Sequence, residues 1–419
     1  MNTGRNIAGL INGLPEPAAE ILREAGRLAE ARGEGLWLAG GMVRDLLLGR
    51  ESHDLDLVVR GDSYAIAEEL AVGVGAALSF HRRFRTGTYY NAGWRVDIAM
   101  ARRESYARPG ALPEVVPGDI YEDLARRDLT INAMAASLMP DNFGELLDFY
   151  NGRRDLERKF IRVLHNNTFA DDATRIWRCL RYGARLGFRL APTSRKLIIE
   201  NLAMLDTVSA DRLRHELEMV LGEDIPERYL RRAARLGVLS RIYHGLRADD
   251  WLGRKYRATR RLYREKKPPT TIYLAIMAFR LDSTGIGVVT RRLNLPSKTA
   301  KILADLYGLA ESLPELDSPS LLPSRICRLL GGKSAESLAA AQIATDSGQA
   351  KKHIRCYQKK LRMIKPFLGG DELIGLGVAW GPTVSAMLEK LRDARLDGMA
   401  STRDDEIGLV NGWLGRGSA

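Results

Sequence analysis

The residues with the clearest chemical potential are two aspartates near the start of the chain. Asp54 and Asp56 belong to the run 54–59, whose alternation of polar and apolar residues predicts a strand. Aspartates two positions apart on a strand point to one face about 7 Å apart, so this pair is expected to bind two divalent metal ions about 3.5–4 Å from each other. Such a pair suits two-metal phosphoryl transfer. A D-x-D pair standing alone is usually an ordinary surface feature.

A glycine pair upstream of the aspartates favours the chemical interpretation. Residues 40–45 read GGMVRD and end nine positions before Asp54. Gly40 and Gly41 allow the backbone to approach a phosphate, the amide groups at the start of the next helix suit an anion, and Arg44 adds a fork of donors. Together the two runs predict a metal and phosphate site.

Asp97 lies in an otherwise largely apolar segment, residues 94–99, that reads as a further strand. A carboxylate on a half-buried strand is costly unless it is paired or bound to metal. Two interpretations stay open at this point. Asp97 is either a third metal carboxylate or one partner of a structural salt bridge with a neighbouring arginine.

A third polar group occurs within residues 123–135, which read DLARRDLTINAMA. Asp128 and Asn132 are four positions apart, so on a helix they would face a ribose together, with Arg127 beside a phosphate. The alternative is an ordinary capped helix start.

A fourth group is the arginine-rich run 171–188, which is expected to be helical from 171 to 186. At 100° per residue, Arg175, Arg178, Arg181 and Arg185 fall within about 120° of the circumference, opposite an apolar side. This stripe would suit a triphosphate, and Asp172 with Arg175 offers an acceptor and donors for a base edge. The alternative is a solvated basic helix face.

The elements expected to position these residues form an α+β protein. Helices are expected over 15–32 and 43–48, and strands over 35–39, 54–59, 77–80, 88–91 and 95–99. Beyond residue 141 helical spacing dominates, for example over 171–186, 210–221 and 225–235. Linkers are expected over 313–323, which holds three prolines, and over 367–371, which holds two glycines.

Composition narrows the class of protein. The chain has 419 residues and a formal net charge of +12, which favours a polyanionic partner. With 45% hydrophobic residues and no apolar run of eighteen residues, a soluble globular protein is expected and a membrane protein is not. The three cysteines lack any C-x-x-C spacing, which argues against a zinc site or a disulfide framework. No signal-peptide pattern is present at the start, so we expect a cytoplasmic protein.

Taken together, the motifs GGxVRD, DxD, RRDxxxNAxA and DDxxRxxRxxRxGxRxGF resemble those of the class II tRNA nucleotidyltransferase and bacterial poly(A) polymerase family. The close match covers residues 36–190, and a fainter one covers 370–406. The resemblance implies a polymerase-β-like nucleotidyltransferase head with a small mixed sheet, followed by an all-α neck, body and tail. The implied bounds are 1–140 for the head, 141–235 for the neck with base recognition, and 236–366 and 367–419 for an RNA-binding body and tail.

The resemblance also implies an enzyme that adds CCA, or its terminal A, to the tRNA 3′ end from CTP and ATP without a nucleic-acid template. The 3′-hydroxyl would attack the α-phosphate and release pyrophosphate, with Mg²⁺ held by Asp54 and Asp56. Gly41 and Arg44 would contact the phosphates. Oligomeric state stays open.

Further residue roles follow from the same resemblance. Arg127 and Asp128 would contact phosphate and ribose. Asp172 and Arg175 would pair with the base, and Arg178 and Arg181 would reach the nucleotide or its phosphates. This chain departs from the family pattern in having Asp171 where glutamate is usual and Ala173 where proline is common, which spares the base-reading pair.

Two other segments bear on function. Residues 102–119 resemble the family's flexible loop, whose presence argues against an enzyme that adds CC alone; an ordinary surface loop is the alternative. Residues 251–267 are basic with interleaved tyrosines and suit either an RNA backbone or a solvated helix face.

Three rival functions follow from these observations. One is a poly(A) polymerase of the same family, although the long basic extension expected of many such enzymes is not seen. Another is a non-catalytic tRNA-binding protein, which the intact Asp54 and Asp56 argue against. The last is a small-molecule nucleotidyltransferase, which the long helical part and the basic charge disfavour.

Overall fold

The structure, a computed structural model, describes residues 6–82, 85–105 and 114–415. The chain divides into two compact units. Unit 1 comprises Met1–Val220 with Arg232–Arg241, and unit 2 comprises Leu221–Arg231 with Ile242–Ala419. Within the described ranges, no helix combines the length and the apolar character needed to cross a membrane.

Unit 1 contains the strands of the described chain. They are β1 (Gly35–Ala39), β2 (Asp54–Arg60), β3 (Ser79–His81), β4 (Thr86–Asn91), β5 (Trp94–Met100), β6 (Arg102–Ser105), β7 (Glu114–Pro117), β8 (Ala135–Ser137), β9 (Leu146–Leu147), β10 (Phe160–Ile161) and β11 (Arg189–Leu190). Seven of them form one mixed sheet in the order β3-β4-β5-β2-β1-β8-β9, in which β2 and β5 are parallel and the other neighbours antiparallel. The pairs β6–β7 and β10–β11 stand apart from this sheet.

Some helices of the first half pack against this sheet, and others follow it along the chain. They are α1 (Ala8–Asn12), α2 (Glu16–Ala31), α3 (Gly41–Leu47), α4 (Ser63–Gly73), α5 (Ile120–Ala125), α6 (Gly152–Glu157), α7 (Thr168–Asp171), α8 (Arg175–Leu186), α9 (Pro192–Glu200), α10 (Ala210–Leu221) and α11 (Pro226–Arg235). The boundary between the two units passes through α10 and α11.

Unit 2 is built from helices throughout its described residues. They are α12 (Asp250–Leu262), α13 (Thr270–Ala278), α14 (Ser283–Arg292), α15 (Ser297–Leu316), α16 (Pro323–Leu330), α17 (Ala335–Ala344), α18 (Gly348–Lys359), α19 (Gly370–Gly375), α20 (Pro382–Leu396) and α21 (Arg403–Gly415). The expected α+β class, with a mixed-sheet first part and a helical remainder, is confirmed.

The alternation of residues along β2 and β5 decides which face of the sheet carries carboxylates. Leu55 and Leu57 on β2 are buried, as are Val96 and Ile98 on β5. Helix α4 packs against both strands. Because successive side chains on a strand point to opposite faces, the aspartates of both strands project from the other face.

Most of the expected elements near the aspartates are present with shifted ends. The helix expected over 15–32 is α2, the short one expected over 43–48 is α3, and the strands expected over 54–59 and 95–99 are β2 and β5. Element ends depend on capping and on tertiary contacts, so shifts of one or two residues are usual.

One expectation about a helix was wrong, and two expected linkers, 313–323 and 367–371, are connections only over 317–322 and 367–369. Asp128 and Asn132 do not share a helix, because α5 ends at Ala125 and only a 3-10 turn, Thr130–Asn132, follows. The first part of the expected linker 313–323 belongs to α15, which continues past Pro314 to Leu316 although the proline removes one backbone N–H donor from the helix. Similarly, the expected linker 367–371 runs into α19, which begins at Gly370.

The helix expected from residue 171 is also interrupted. Asp172 has an extended backbone conformation between α7 and α8. Its side chain accepts hydrogen bonds from the Thr174 backbone N–H (3.0 Å) and from Thr174 Oγ1 (2.7 Å). Aspartate commonly competes with helix in this way, since its carboxylate can accept from the backbone N–H two residues further on and so form a local turn. This interruption removes Asp172 from the helical stripe and leaves it at the start of α8.

Candidate active site

Three carboxylates share one face of the sheet. Asp56 and Asp97 are direct partners in the parallel β2–β5 ladder, and Asp54 lies two residues before Asp56. Asp54 is exposed, whereas the other two are half-buried. Burial raises the pKa of Asp56 to about 6; the neighbouring carboxylates act in the same direction and Arg127 opposes them.

Both interpretations of Asp97 find support in its surroundings. The carboxylate lies beside Asp56, as a third metal carboxylate would. It also accepts hydrogen bonds from Thr88 Oγ1 (2.5 Å) and pairs with Arg95 Nη2 at 2.8 Å. Asp97 is therefore held by its own strand and by β4, and it adds negative charge next to Asp56.

The donor set at this face suits a hard divalent cation. Residues 6–82, 85–105 and 114–415 contain no group of three or more histidines, cysteines, aspartates or glutamates arranged to hold a metal ion. Mg²⁺ is usually bound through one or two carboxylates together with waters and substrate phosphates. Asp54 and Asp56 match that requirement.

Gly40 occupies a backbone position that other residues cannot adopt without strain. Its φ is +71° and its ψ is −124°. A Cβ at this position would lie 2.4 Å from Arg127 Nη1 and 3.7 Å from Asp56 Oδ2. The missing side chain therefore lets a guanidinium pass close to the backbone at the start of α3, which begins at Gly41.

Arg44 forms the first part of a buried polar network. Its guanidinium donates to both carboxylate oxygens of Asp45, at 2.9 and 2.7 Å, and to Asn132 Oδ1 at 2.7 Å. The side chain is only 5% exposed. Arg44 thus connects α3 to the 3-10 turn at Asn132.

The network continues from Asn132 to α8. Asn132 Nδ2 donates to Asp128 Oδ1 at 3.1 Å, and Arg178 Nε donates to Asp128 Oδ2 at 2.6 Å. Although burial raises the pKa of Asp128, Arg178 and Asn132 together hold it below its ordinary value. The two residues expected to face a ribose therefore do meet, through a turn rather than through helical spacing.

Arg127 is positioned by the helix that precedes it. Asp123 on α5 is fully buried and accepts from Arg127 Nη2 at 3.0 Å and from Arg126 Nη2 at 2.6 Å. Burial raises the pKa of Asp123, but the two guanidinium groups lower it further, so the net pKa lies below the ordinary value. The Arg127 guanidinium also donates from Nη1 to the Asn132 backbone carbonyl at 3.4 Å.

The predicted base-reading residues have separate partners. Arg175 is buried and donates to Thr168 Oγ1 at 2.8 Å and to the Arg126 backbone carbonyl at 2.7 Å. Asp172 Oδ2 accepts from Arg212 Nη2 at 2.6 Å. Contacts with α7 and with the end of α5 therefore position Arg175, and a contact with α10 positions Asp172.

The basic side of α8 is not a solvated face. Arg175 and Arg181 are buried, and Arg178 is half-buried. The residues expected on the other side, namely Ile176, Trp177, Leu180 and Ala184, are buried too. The alternative of an exposed basic stripe is therefore wrong for the first three arginines, while Arg185 is exposed.

A cavity of about 570 Å³ gathers most of these residues in unit 1. The predicted residues that line it are Gly41, Asp56, Asp97, Arg127, Asp128, Asn132, Asp172, Arg175 and Arg178. Those that do not are Gly40, Arg44, Asp54 and Arg181. A volume of this size suits a nucleotide-sized ligand.

Among the lining residues that sequence reasoning missed are Tyr182, Arg212 and Glu216. The ring of Tyr182 lies within 6 Å of the guanidinium carbons of four arginines, which are Arg44, Arg178, Arg181 and Arg185. The signal was its position inside the arginine run, where an aromatic ring offers cation–π contacts.

Glu216 has a carboxylate oxygen that is buried without a hydrogen-bond partner among the described residues. Burial raises the pKa of this group, while Arg178 and Arg181 oppose that shift. Arg212 and Glu216 are four positions apart on α10, so both project from one side of the helix. The i, i+4 spacing of Arg212 and Glu216 was the only sign of them in the sequence that we identify. No motif near α10 indicated that this helix contacts Asp172.

Two family models match the chain. The first, the poly A polymerase head domain, matches residues 36–162. The second, described as a probable RNA and SrmB-binding site of polymerase A, matches residues 187–249. The first range contains the three strand carboxylates and Arg127, whereas α8 lies between the two ranges.

Relatives with similar sequences are tRNA nucleotidyltransferases. The A-adding tRNA nucleotidyltransferase of Geobacter sulfurreducens is 34% identical over 97% of this chain and 48% of its own length. The CC-adding enzyme of Deinococcus radiodurans is 32% identical over 91% of this chain and 90% of its own length. The chain thus spans about half the length of the A-adding relatives that it matches.

A solved structure is similar over nearly the whole chain. An apo form of a CCA-adding enzyme superposes with a TM-score of 0.81 and 29% sequence identity, covering 97% of this chain and 98% of that one.

Proposed function

We propose that this chain, which belongs to the class II tRNA nucleotidyltransferase and bacterial poly(A) polymerase family, transfers nucleotides from CTP and ATP to the 3′ end of tRNA. The observation that carries the proposal is the cavity of unit 1, where Asp56 and Asp97 meet residues of α8 and α10. Carboxylates for metal, guanidinium groups for phosphates and an acidic residue for a base edge all line one nucleotide-sized space.

In this proposal Asp54 and Asp56 would hold Mg²⁺, and the chemistry that the metal would supply is activation of the RNA 3′-hydroxyl and charge stabilisation of the pyrophosphate leaving group. Arg127 and Arg178 neutralise the triphosphate. Both guanidinium groups are pre-oriented by buried carboxylates, Asp123 and Asp128, so they need no reorganisation when substrate enters.

Base choice is proposed to come from Asp172 and Arg175, without a nucleic-acid template. An acceptor at Asp172 suits the exocyclic amino group that cytosine and adenine share and that uracil lacks. Rejecting a base that leaves a buried polar group unpaired is worth a large factor in selectivity. Arg212 supports this role because it holds the Asp172 carboxylate in place.

Unit 2 is proposed to bind RNA, as the expected body over 236–366 and tail over 367–419. On α12, Arg254, Arg257 and Arg261 are exposed and lie on one side of the helix. Within the part of the chain that the structure describes, none of them has a carboxylate within 4 Å. Lys255 and Arg260, by contrast, pair with carboxylates of unit 2. The expected bounds of head and neck, 1–140 and 141–235, remain predictions, as does a cytoplasmic location.

Addition of A alone is a second candidate, favoured by the likeness to A-adding relatives. The expected flexible loop bears on this choice. Its two ends form the β6–β7 hairpin, while residues 106–113 lie outside the described residues. The presence of this segment argues against addition of CC alone and leaves full CCA addition and A addition as the alternatives.

The experiment is incorporation of labelled CTP and ATP, with Mg²⁺, into one tRNA ending at the discriminator base, at C or at CC. Addition of C, C and A to the bare end indicates a full CCA enzyme, and addition of A only to the CC end indicates an A-adding enzyme. Long A tails on an unstructured RNA control would replace the proposal with a poly(A) polymerase. Binding of tRNA without any transfer would replace it with a non-catalytic RNA-binding protein.

A further inference from the structure

Unit 2 contains a second cavity, of about 400 Å³, outside the nucleotide cavity of unit 1. The residues of interest in its lining are Tyr243, Arg247, Trp251, Arg280 and Asp282. Tyr243 and Arg247 fall at the end of the range 187–249, which the family model of a probable RNA and SrmB-binding site matches, but neither a motif nor the proposed chemistry gives the individual side chains a role. The volume lies within the usual range of small-molecule and cofactor pockets.

Tyr243 occupies a slot that a glycine keeps open. A Cβ at Gly285, on α14, would lie 2.7 Å from Tyr243 Cε1. The ring is half-buried, so part of it stays accessible from the cavity. Within residues 6–82, 85–105 and 114–415 its hydroxyl has no hydrogen-bond partner. The slot therefore presents a fixed aromatic surface with an unused polar end.

Trp251 is held rigidly in the same lining. The guanidinium carbon of Arg280 lies 3.9 Å from the centroid of the indole ring, and Arg280 Nη1 pairs with Asp249 Oδ2 at 2.6 Å. Phe279 stacks on the indole with centroids 6.0 Å apart and planes 16° apart. Because a guanidinium and an aromatic ring already pack against the indole, Trp251 loses little side-chain conformational entropy when a ligand binds.

Arg247 supplies an unused positive charge at this cavity. Its side chain is exposed, and in the described part of unit 2 no carboxylate lies within 4 Å of its guanidinium. Arg280, in contrast, already has Asp249 as a partner. Arg247 is thus the lining guanidinium that has room for a phosphate, and a planar fork of donors matches phosphate oxygens.

An aromatic surface next to a free guanidinium is the combination that binds an unpaired nucleotide. Every base has a π-face, so stacking on an aromatic ring does not depend on sequence, while a cation beside the ring meets the backbone phosphate. A purely apolar ligand would make no ion pair with Arg247, and a free anion would make no stacking contact with the aromatic ring.

We propose that this cavity holds one unpaired nucleotide of the bound RNA, with its base against Tyr243 and its phosphate at Arg247. This inference rests on the proposed RNA substrate and adds a second nucleotide site, separate from the one that takes CTP or ATP. It requires no chemistry at the second site, only binding.

The first test measures equilibrium binding of a tRNA transcript to Tyr243→Leu and Arg247→Ala at several salt concentrations. Tyr243→Leu is expected to weaken binding about tenfold, because it removes one base stack, and to leave the salt dependence unchanged. Arg247→Ala is expected to reduce the slope of log affinity against log salt by about 0.7, as the loss of one phosphate contact with a single strand would. Tyr243→Phe and Arg247→Lys are the matched controls: Tyr243→Phe keeps the ring and should bind as the unchanged protein does, and Arg247→Lys keeps the charge and should retain the salt slope.

The second test uses tRNA that carries 4-thiouridine, irradiated in complex with the full chain. Cross-links to peptides containing Tyr243 or Trp251 are expected. Wild-type affinity and salt slope in both variants, with no cross-link to these peptides, would overturn the inference. Displacement of the cross-link by free AMP or CMP, with tRNA affinity unchanged in both variants, would reassign the cavity to a free nucleotide and would also overturn it.

Transfer assays separate this inference from the proposed function. With saturating tRNA, Tyr243→Leu is expected to keep the wild-type kcat and the wild-type KM for CTP and ATP, while its KM for tRNA rises. If the unchanged protein neither binds nor extends tRNA, the proposed function fails and the RNA-nucleotide assignment fails with it. If the unchanged protein extends tRNA and both variants bind as it does, only the second site is refuted.

Discussion

Arg212 donates a 2.6 Å hydrogen bond to the carboxylate of Asp172, which lies forty residues earlier in the chain. The other carboxylate oxygen accepts two bonds from Thr174. A carboxylate has about four acceptor sites, so these three bonds leave about one for a ligand. One remaining acceptor matches one exocyclic amino group, which is the feature that cytosine and adenine share in contrast to uracil.

Arg212→Ala is therefore expected to reduce discrimination against UTP by about 10- to 100-fold, with a smaller effect on the rate with CTP or ATP. The reason is that a hydrogen bond to a charged group contributes about 1.5–3 kcal/mol, at about 1.4 kcal/mol per tenfold. The measurement is the ratio of kcat/KM values for the competing triphosphates. Arg214→Ala is the matched control, since Arg214 lies on the same helix and pairs with Asp211 at 2.9 Å. Equal selectivity in the two variants would refute the role of Arg212.

Asp54→Ala and Asp56→Ala are each expected to reduce nucleotide transfer at least about a thousandfold while tRNA binding is retained. Loss of a metal carboxylate removes several kcal/mol of charge stabilisation from the transition state. Single-turnover transfer and equilibrium tRNA binding are the two measurements. Asp141→Ala, which removes an exposed carboxylate elsewhere in unit 1, should leave both unchanged.

Chelation provides a companion test of the same assignment. EDTA is expected to stop transfer by the unchanged protein, and added Mg²⁺ should restore it. Transfer that persists in EDTA, or in either aspartate variant at more than about a tenth of the normal rate, would contradict the metal assignment.

Local patterns were sufficient to predict the elements that carry the carboxylates. Asp54 and Asp56 fall on β2 because alternation with buried leucines is a period-two signal that needs no distant partner. The glycine pair at the start of α3 could likewise be recognised from the sequence alone. The sequence pattern could not predict which residue forms an ion pair or hydrogen bond with each charged side chain, because burial and pairing depend on tertiary contacts.

The network around Asn132 illustrates that limit. The four-residue spacing between Asp128 and Asn132 suggested a helix, and the two side chains do meet, but across a turn. Arg44 and Arg178 converge on them from positions 88 and 50 residues away in sequence. Likewise, Arg212 and Glu216 reach the cavity from a helix with no motif that links it to Asp172.

Gly40→Ala is expected to lower transfer by about tenfold or more and to reduce stability by about 1–3 kcal/mol. A side chain there meets both a positive φ of +71° and a contact of 2.4 Å with Arg127 Nη1, so Arg127 must move. Gly33→Ala is a matched control, because its φ is +66° and a Cβ there meets nothing within 4 Å. Gly33→Ala should therefore lose stability in thermal unfolding without losing transfer. Equal activity of both variants would show that the approach of Arg127 to Gly40 does not matter.

Asp128→Asn is expected to reduce the free energy of unfolding by about 2 kcal/mol at pH 7, since it removes the charge that pairs with Arg178. The folded-state pKa of Asp128 lies below its ordinary value despite the opposing effect of burial. The pair therefore contributes stability that is fully present above about pH 4 and is lost as the pH falls through the lowered folded-state pKa. In urea unfolding of both proteins between pH 7 and pH 3, the difference in free energy of unfolding should become smaller as the pH falls below about 4. Asp211→Asn, which removes a largely exposed partner of Arg214, should cost less than about 1 kcal/mol at pH 7. A difference between wild type and Asp128→Asn that stays constant down to pH 3 would mean that the carboxylate charge is not what holds α8 to the 3-10 turn.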